Sequence, residues 1–177
     1  MVKFYRKALE YGIKPIIGTD IFLADEDDAT RCDRITLLCA NNNGYQNLTQ
    51  LITRAWLDGQ KRHGPRFHKS WFNKENCKGL IALSAGLKGD IGRSLMNEHH
   101  DLASRQLDSW LELFDDRFYL ELSRTNRQHE EDYIQQALLL AHDNSVPVVA
   151  TNDVRFLSSK DFASHEARVC INEGLIL

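Results

Sequence analysis

Short runs of large apolar residues alternate along the chain with longer segments in which apolar residues recur every three or four positions. The short runs, at residues 14–24, 34–40, 79–86, 117–123 and 146–156, predict five strands bounded by Gly, Asn or Pro turn residues. The helically spaced segments, at residues 1–11, 44–58, 90–96, 103–114, 128–144 and 161–171, predict six helices. The order of strands and helices favours a parallel α/β architecture.

The last predicted strand ends in polar residues that are candidates for chemistry. Its apolar run begins at Pro147 and stops at Thr151, Asn152 and Asp153, which is typical of a buried strand that delivers a carboxylate to its C-terminal end. In α/β proteins, ligands usually bind at that end of the strands. Asp153 is therefore the first candidate site residue.

Two further carboxylates lie inside predicted strands. A lone carboxylate is costly to bury, so Asp20 faces a polar cavity or is paired with a cation. Glu121 lies between Leu120 and Leu122. The spacing leaves two placements open for Glu121, the interior of a barrel and an edge or solvent face.

Composition narrows the functional classes. A formal net charge of −3 and a pI near 6.2 argue against a domain that binds nucleic acid over its whole surface. The 177 residues show no composition break, so we expect one domain over residues 1–177. The sequence has no run long enough to span a membrane, no signal-peptide core and no Cys-x-x-Cys pair. These features predict a cytoplasmic protein without a cysteine zinc site or a disulfide framework.

Charged segments between the elements are better explained as solvated loops than as sites. The acidic run at residues 25–28 lacks calcium-loop spacing. The basic run at residues 61–66 is compatible with a phosphate-backbone contact, but exposed charge alone specifies little. Residues 87–93 lack the spacing of a phosphate-binding loop, and the adjacent His99 and His100 are poorly placed to bind one metal.

Several motifs together resemble one family. Residues 12–18 read Gly-Ile-Lys-Pro-Ile-Ile-Gly, residues 37–48 read Leu-Leu-Cys-Ala-Asn-Asn-Asn-Gly-Tyr-Gln-Asn-Leu, and residues 148–156 read Val-Val-Ala-Thr-Asn-Asp-Val-Arg-Phe. With residues 79–84 and 163–168, these motifs resemble the polymerase-and-histidinol-phosphatase (PHP) domain of bacterial DNA polymerase III alpha subunits. The resemblance extends in order over nearly the whole chain.

The resemblance implies a fold and a boundary. PHP domains of this kind are distorted, TIM-like β/α barrels of about seven strands, of which this chain supplies about five. We therefore expect an incomplete, N-terminally truncated barrel that lacks its first strands and the downstream polymerase domains. Because open strand edges favour strand exchange, we also expect an oligomer of this fragment.

The resemblance also implies a metal site that has lost most of its ligands. Asp20 and Asp153 occupy metal-ligand positions of active PHP domains, whereas Arg34 and Arg155 replace histidines and Gly86 replaces a cysteine. A guanidinium stays protonated and has no lone pair, so it repels a metal ion but pairs with a carboxylate. We expect Asp20 and Asp153 to be residual ligand positions without metal, and we expect no catalytic residue and no cofactor.

Two functions follow from the resemblance. In the first, the chain is a non-catalytic PHP domain of a DNA-directed DNA polymerase, which is a nucleotidyltransferase of DNA replication. The domain would contact DNA through the parent polymerase. Such a domain would be a platform that docks the proofreading exonuclease subunit. The alternative is an active phosphoesterase or 3′–5′ exonuclease with a zinc or manganese cluster. An unrelated α/β barrel enzyme with Asp153 as general acid or base is disfavoured, because no second catalytic group lies nearby in sequence.

Overall fold

A mixed five-stranded sheet organises the computed structural model, which describes residues 2–24, 31–61 and 64–176. The strands are β1 (Gly18–Ala24), β2 (Cys32–Cys39), β3 (Gln60–Lys61), β4 (Gly64–Pro65), β5 (Leu80–Leu83), β6 (Phe118–Ser123) and β7 (Val148–Thr151). The main sheet has the order β1-β2-β5-β6-β7, and β3 pairs with β4 in a separate hairpin. This hairpin occupies part of the predicted basic loop at residues 61–66, whereas the acidic run at residues 25–28 lies outside the described residues.

The helices are α1 (Val2–Glu10), α2 (Asn42–Asp58), α3 (Asp90–Met96), α4 (His100–Phe114), α5 (Glu130–Asp143) and α6 (Phe162–Glu173). α2 begins after Asn41, whose side chain accepts a hydrogen bond from the backbone N–H of Gly44 at 3.0 Å. α2, α4 and α5 contact the strands of the main sheet. None of the helices in the described ranges is both long and apolar enough to cross a bilayer.

The predicted parallel architecture is correct for only half of the sheet. β5, β6 and β7 are parallel, but β1 and β2 are antiparallel, and so are β2 and β5. The physical reason for the first pairing is the short connection from β1 to β2, because parallel neighbours need a crossover of a dozen or more residues. The long helical connections that precede β6 and β7 provide such crossovers.

The two faces of the sheet have different characters. On β2, Ile35 and Leu37 are buried, whereas the alternating residues Arg34 and Thr36 are only half-buried. Cross-strand partners share a face, so Asp20 lies on the polar face together with its partner Thr36. The sheet therefore has a core face and a polar face.

Aromatic packing fills the centre of the core. The indole of Trp110 is fully buried and stacks on Phe118 with 6.3 Å between ring centroids, while Phe72 approaches its edge at 6.0 Å. The indole N–H donates a hydrogen bond to Asp90 Oδ2 at 2.9 Å, so its polar atom is satisfied inside the core.

One close backbone contact requires glycine. A Cβ added to Gly44, in the first turn of α2, would lie 1.8 Å from the carbonyl oxygen of Gly79. Gly79 itself has φ +74°, in the left-handed region that favours glycine. Together these glycines let α2 approach the segment that leads into β5.

The sheet is not closed within the described residues, so the predicted barrel is not confirmed. β1 and β7 are its two edges, and β1 gains only an isolated bridge from Leu23 to Phe67 on its outer side. At the chain ends, α1 buries only Ala8, and α6 buries none of its described side chains. The mixed α/β sheet is consistent with the expected fold class.

Candidate functional site

A polar cleft lies at the carboxyl ends of the three parallel strands. The segments that follow β5, β6 and β7 meet there and enclose a cavity of about 160 Å³. We call it the carboxyl-end cleft; its charged lining residues are Arg34, Lys88, Glu121, Arg127, Glu130 and Asp153, and its other lining residues include Gly86, Thr125 and Tyr133. Ligands of open α/β sheets commonly bind at this end of the strands.

Asp153 is held by two arginines. Arg155 Nη2 lies 2.6 Å from Oδ1 of Asp153, and Arg127 Nη1 lies 3.1 Å from Oδ2. The Asp153 side chain is only 21% exposed, and this burial raises the pKa of its carboxyl. The hydrogen bond and charge of Arg155, with further contributions from Lys88 and Arg127, outweigh burial and lower the pKa of Asp153 below its ordinary value.

Asp20 is also paired with an arginine, but it lies outside the cleft. Arg34 Nη1 is 3.3 Å from Asp20 Oδ2, and the hydroxyl of Thr36 donates a hydrogen bond to Asp20 Oδ1 at 2.6 Å. The Arg34 side chain is 19% exposed and reaches from this pair to the lining of the cleft. Arg34 therefore connects Asp20 to the cleft.

Glu121 has a buried carboxylate on β6, the middle one of the three parallel strands. The residue is 9% exposed, and its Oε1 accepts a hydrogen bond from the Thr151 hydroxyl at 2.6 Å. The backbone N–H of Glu121 donates to Ser84 Oγ at 2.9 Å, and the hydroxyl of Tyr133 donates to its carbonyl at 2.9 Å. Burial raises the pKa of Tyr133 to about 12, so this phenol stays a donor. The burial of Glu121 on a strand with two neighbours excludes the edge or solvent placement, whereas its placement inside a barrel stays a prediction.

Glu130 organises the loop that carries Arg127. Its carboxylate accepts hydrogen bonds from the hydroxyl and backbone N–H of Thr125, at 2.5 and 2.6 Å, and from the backbone N–H of Arg127 at 3.1 Å. The hydrogen bond from the Thr125 hydroxyl is the main cause that lowers the pKa of Glu130, although burial opposes it. The Glu130 carboxylate is thus engaged in hydrogen bonds with the loop that carries Arg127.

A tight turn after β5 places Lys88 at the cleft. Ala85 has φ 59°, a left-handed conformation that is uncommon outside glycine, and Gly86 follows with φ 58°. Burial lowers the pKa of Lys88, and the guanidinium of Arg34 lowers it further, whereas the charge of Asp153 raises it. The cleft therefore presents a partly desolvated ammonium group beside guanidinium groups.

The structure brings together all five positions that the resemblance singled out. Arg34, Gly86 and Asp153 line the cleft, while Asp20 and Arg155 join it through their ion pairs. Sequence reasoning missed Lys88 and Arg127, because Lys88 ends a short 3-10 helix at residues 86–88, Arg127 lies in the loop before α5, and neither segment carries hydrophobic periodicity. It also missed the loop contacts of Glu130, which lies near the start of the helix predicted at residues 128–144.

The side chains present do not fit a metal cluster. In the part of the chain that the structure describes, no three His, Cys, Asp or Glu side chains are grouped so that they could hold a metal ion. Asp20 and Asp153 instead contact guanidinium groups, which have no lone pair for a metal. In the described residues the arrangement is that of an ion-paired polar site.

Comparisons with known proteins identify the family of this chain. Residues 1–125 match the family model described as PHP domain. Over all 177 residues the chain is 45% identical to the DNA polymerase III subunit alpha of Pseudomonas aeruginosa and of Escherichia coli K12, and 44% identical to that of Vibrio cholerae. It spans 15% of the length of each of these relatives. Because the family model covers most of the chain, the protein belongs to the PHP domain family.

Proposed function

We propose that this chain is a non-catalytic PHP domain of a DNA polymerase III alpha subunit and that it acts in DNA replication as part of that polymerase. The observation that carries the proposal is the pairing of Asp20 with Arg34 and of Asp153 with Arg155 and Arg127. Each carboxylate at a family ligand position thus lies within ion-pair distance of at least one arginine.

The backbone conformation at Gly86 also supports the proposal that this chain has no metal-dependent activity. Gly86 stands at the position of a family cysteine, and its φ of +58° disfavours any residue with a side chain. A divalent ion in this cleft would also meet the positive charges of Arg34, Lys88 and Arg127 at close range. We infer that residues 1–177 form one domain whose role is structural and not catalytic.

The platform role and the partners are part of the same proposal. The relatives contain much more polypeptide than this chain, and additional strands paired with the edges β1 and β7 would close a PHP-type barrel. By the family resemblance, the domain docks the proofreading exonuclease subunit of a cytoplasmic replicase. Co-elution of this chain with the exonuclease in size-exclusion chromatography supports docking, and separate elution at micromolar concentrations contradicts it.

Metal analysis tests the non-catalytic assignment. After dialysis against zinc or manganese, the chain is expected to retain far less than one ion per molecule and to release no nucleotide from the 3′ end of an oligonucleotide. A double variant, Arg34→His with Arg155→His, restores two candidate ligands and is the matched comparison for increased metal uptake. Stoichiometric metal in the unmodified chain, with nucleotide release that Asp153→Asn abolishes, would establish the active phosphoesterase instead.

A further inference from the structure

Residues 59–74 form a basic segment in a chain whose formal net charge is −3. The segment contains five Lys or Arg residues and two His residues but no Asp or Glu. Exposed charge alone specifies little. The structure adds a second feature, because this segment carries the β3–β4 hairpin and contacts both α2 and β1 at a surface with exposed aromatic side chains.

A groove lies between the hairpin, α2 and the end of β1, and we call it the hairpin groove. It has a volume of about 220 Å³, and its lining residues include Phe22, Ile52, Trp56, Pro65 and Arg66. Phe22 is 41% exposed and Trp56 is 55% exposed, so both rings are accessible from solvent.

The end of β1 beside the hairpin groove is already paired. The backbone N–H of Phe67 donates to the carbonyl of Phe22, and the N–H of Ala24 donates to the carbonyl of Phe67, each at 2.8 Å. These bonds attach the segment after the hairpin to β1. The hairpin groove is therefore a built surface at Phe22 and not an open strand edge.

The guanidinium of Arg66 supplies the positive charge of the hairpin groove. It lies 5.3 Å from the centre of the Phe22 ring, and among the described residues it has no ion-pair partner. The only carboxylate among the described lining residues is that of Asp20, which is engaged by Arg34 and Thr36. A guanidinium that stacks on one ring still offers N–H groups to a phosphate and its other face to a nucleobase.

The indole of Trp56 supplies a second planar surface. Among the described residues no aromatic ring contacts it. A single exposed aromatic residue is common on protein surfaces, but Trp56 shares its groove with the stacked Arg66 and Phe22. Proteins bind single-stranded nucleic acids by combining cations for the phosphates with rings on which bases stack. An acidic polypeptide offers charge without such planar groups, and a duplex keeps its bases stacked on one another.

We propose that the hairpin groove binds a single-stranded polynucleotide. One base stacks on Trp56, and the adjacent phosphates contact Arg66 and the exposed Lys61 of β3. The inference goes beyond the proposed function, because it gives this domain a nucleic-acid contact of its own. Among the described residues, the hairpin groove and the carboxyl-end cleft share no lining residue, so the proposal does not depend on the state of the cleft.

Fluorescence anisotropy with labelled oligonucleotides tests the proposal. The probes are oligo(dT) and oligo(U) of about twelve nucleotides, a length within the site sizes of single-strand-binding modules, and a duplex of equal length. At least one single strand is expected to bind several-fold more tightly than the duplex, and the comparison of the two strands identifies DNA or RNA. Binding of the duplex that is equal or tighter would overturn the proposal. So would displacement of the strand by poly-glutamate at equal charge concentration.

A substitution in the hairpin groove tests base stacking. Trp56→Leu keeps an apolar side chain and the charge of the surface, and it is expected to weaken binding of the single strand about fivefold or more. The matched control is Tyr11→Leu, because Tyr11 is 76% exposed and lies beside Lys7 outside the groove. Equal affinities of Trp56→Leu and the unmodified chain would show that no base stacks on this ring.

The salt dependence of binding tests the phosphate contact. On single strands each neutralised phosphate contributes about −0.7 to the slope of log K against log salt concentration, so Arg66→Met is expected to reduce the steepness by about 0.7. Lys78→Met, a control lysine 56% exposed and paired with Glu75, keeps the original slope. An unchanged slope in Arg66→Met refutes this groove even if Trp56→Leu fails to fold. Stoichiometric metal uptake would refute the proposed function and leave this inference standing.

Discussion

Replacing Asp153 with Asn removes the single negative charge that two guanidinium groups share. The substitution keeps the size and shape of the side chain, so packing at the end of β7 is preserved. Arg155 and Arg127 lose the charge of their common partner, and they remain close to each other beside Lys88. We expect Asp153→Asn to lower the free energy of unfolding.

The magnitude follows from the exposure of the three side chains. Hydrogen bonds to charged groups contribute about 1.5–3 kcal/mol when they are well formed and sheltered. Asp153 is 21% exposed, but Arg155 and Arg127 are 45% and 55% exposed, so solvent screens a substantial part of the attraction. We expect a loss of about 1–2 kcal/mol, which for a chain of this size lowers Tm by about 2–8 °C.

Urea unfolding followed by circular dichroism measures this loss at pH 7. The matched control is Asp58→Asn, because Asp58 is 63% exposed and lies 3.7 Å from Arg54 at the surface. Exposed pairs of this kind contribute little, so the control is expected to stay within about 0.5 kcal/mol of the unmodified chain.

The pH dependence provides a second measurement of the same interaction. The pKa of Asp153 is lower in the folded protein than its ordinary value, so the folded state favours the ionised carboxylate. The stabilisation is therefore fully present above the ordinary carboxyl pKa of about 3.9 and is lost as pH falls through the lowered pKa of the folded state. The stability difference between the unmodified chain and Asp153→Asn should shrink over that acidic range.

The reasoning is wrong if Asp153→Asn is as stable as Asp58→Asn at pH 7. It is also wrong if the stability difference does not change with pH in the acidic range. Either result would mean that the two arginine contacts do not stabilise the folded chain.

Two further expectations concern the core and the sheet edges. Gly44→Ala places a methyl group 1.8 Å from the Gly79 carbonyl, so we expect the free energy of unfolding to fall by about 2–3 kcal/mol in chemical denaturation. The control is Asn43→Ala at the exposed neighbouring position. Equal stability of the two variants would contradict the close contact. The edges β1 and β7 are open within the described residues, so sedimentation at increasing concentration should reveal dimers or larger species. A strictly monomeric chain throughout would contradict strand exchange.

Helices were the best predicted elements, because periodicity and turn residues both define them. The bounds of α3, Asp90–Met96, coincide with the prediction, and α2 begins two residues before the predicted start, directly after its cap Asn41. The apolar runs located the five strands of the main sheet. The directions of these strands depend on the connections between them, which amino-acid composition does not specify. The parallel prediction therefore failed at β1 and β2.

Sequence patterns predict the carboxylate of the candidate site, Asp153, but not the cationic side chains of Lys88 and Arg127 beside it. The sequence predicts Asp153 at the end of a buried strand, but β7 is an edge strand with no buried residue. Strand ends meet at one edge of a parallel sheet, so the position of Asp153 could still be inferred from the sequence. Lys88 and Arg127 reach the cleft through a left-handed turn and a loop tied to Glu130, and single-sequence patterns do not specify such backbone paths. The resemblance supplied Arg34 and Arg155 because it compared positions rather than periodicity.

The edge position of β7 has a consequence for the dynamics of the cleft. Among the described strands β7 pairs only with β6, and its residues Val148 and Ala150 are exposed. Strands with one neighbour and little burial open by local fluctuation at a lower free energy than the global unfolding of the core. Asp153 follows this strand directly, so opening of β7 would dismantle the ion-paired cleft while the aromatic core around Trp110 stays folded. We therefore expect the cleft to open independently of the core, although both belong to one sheet.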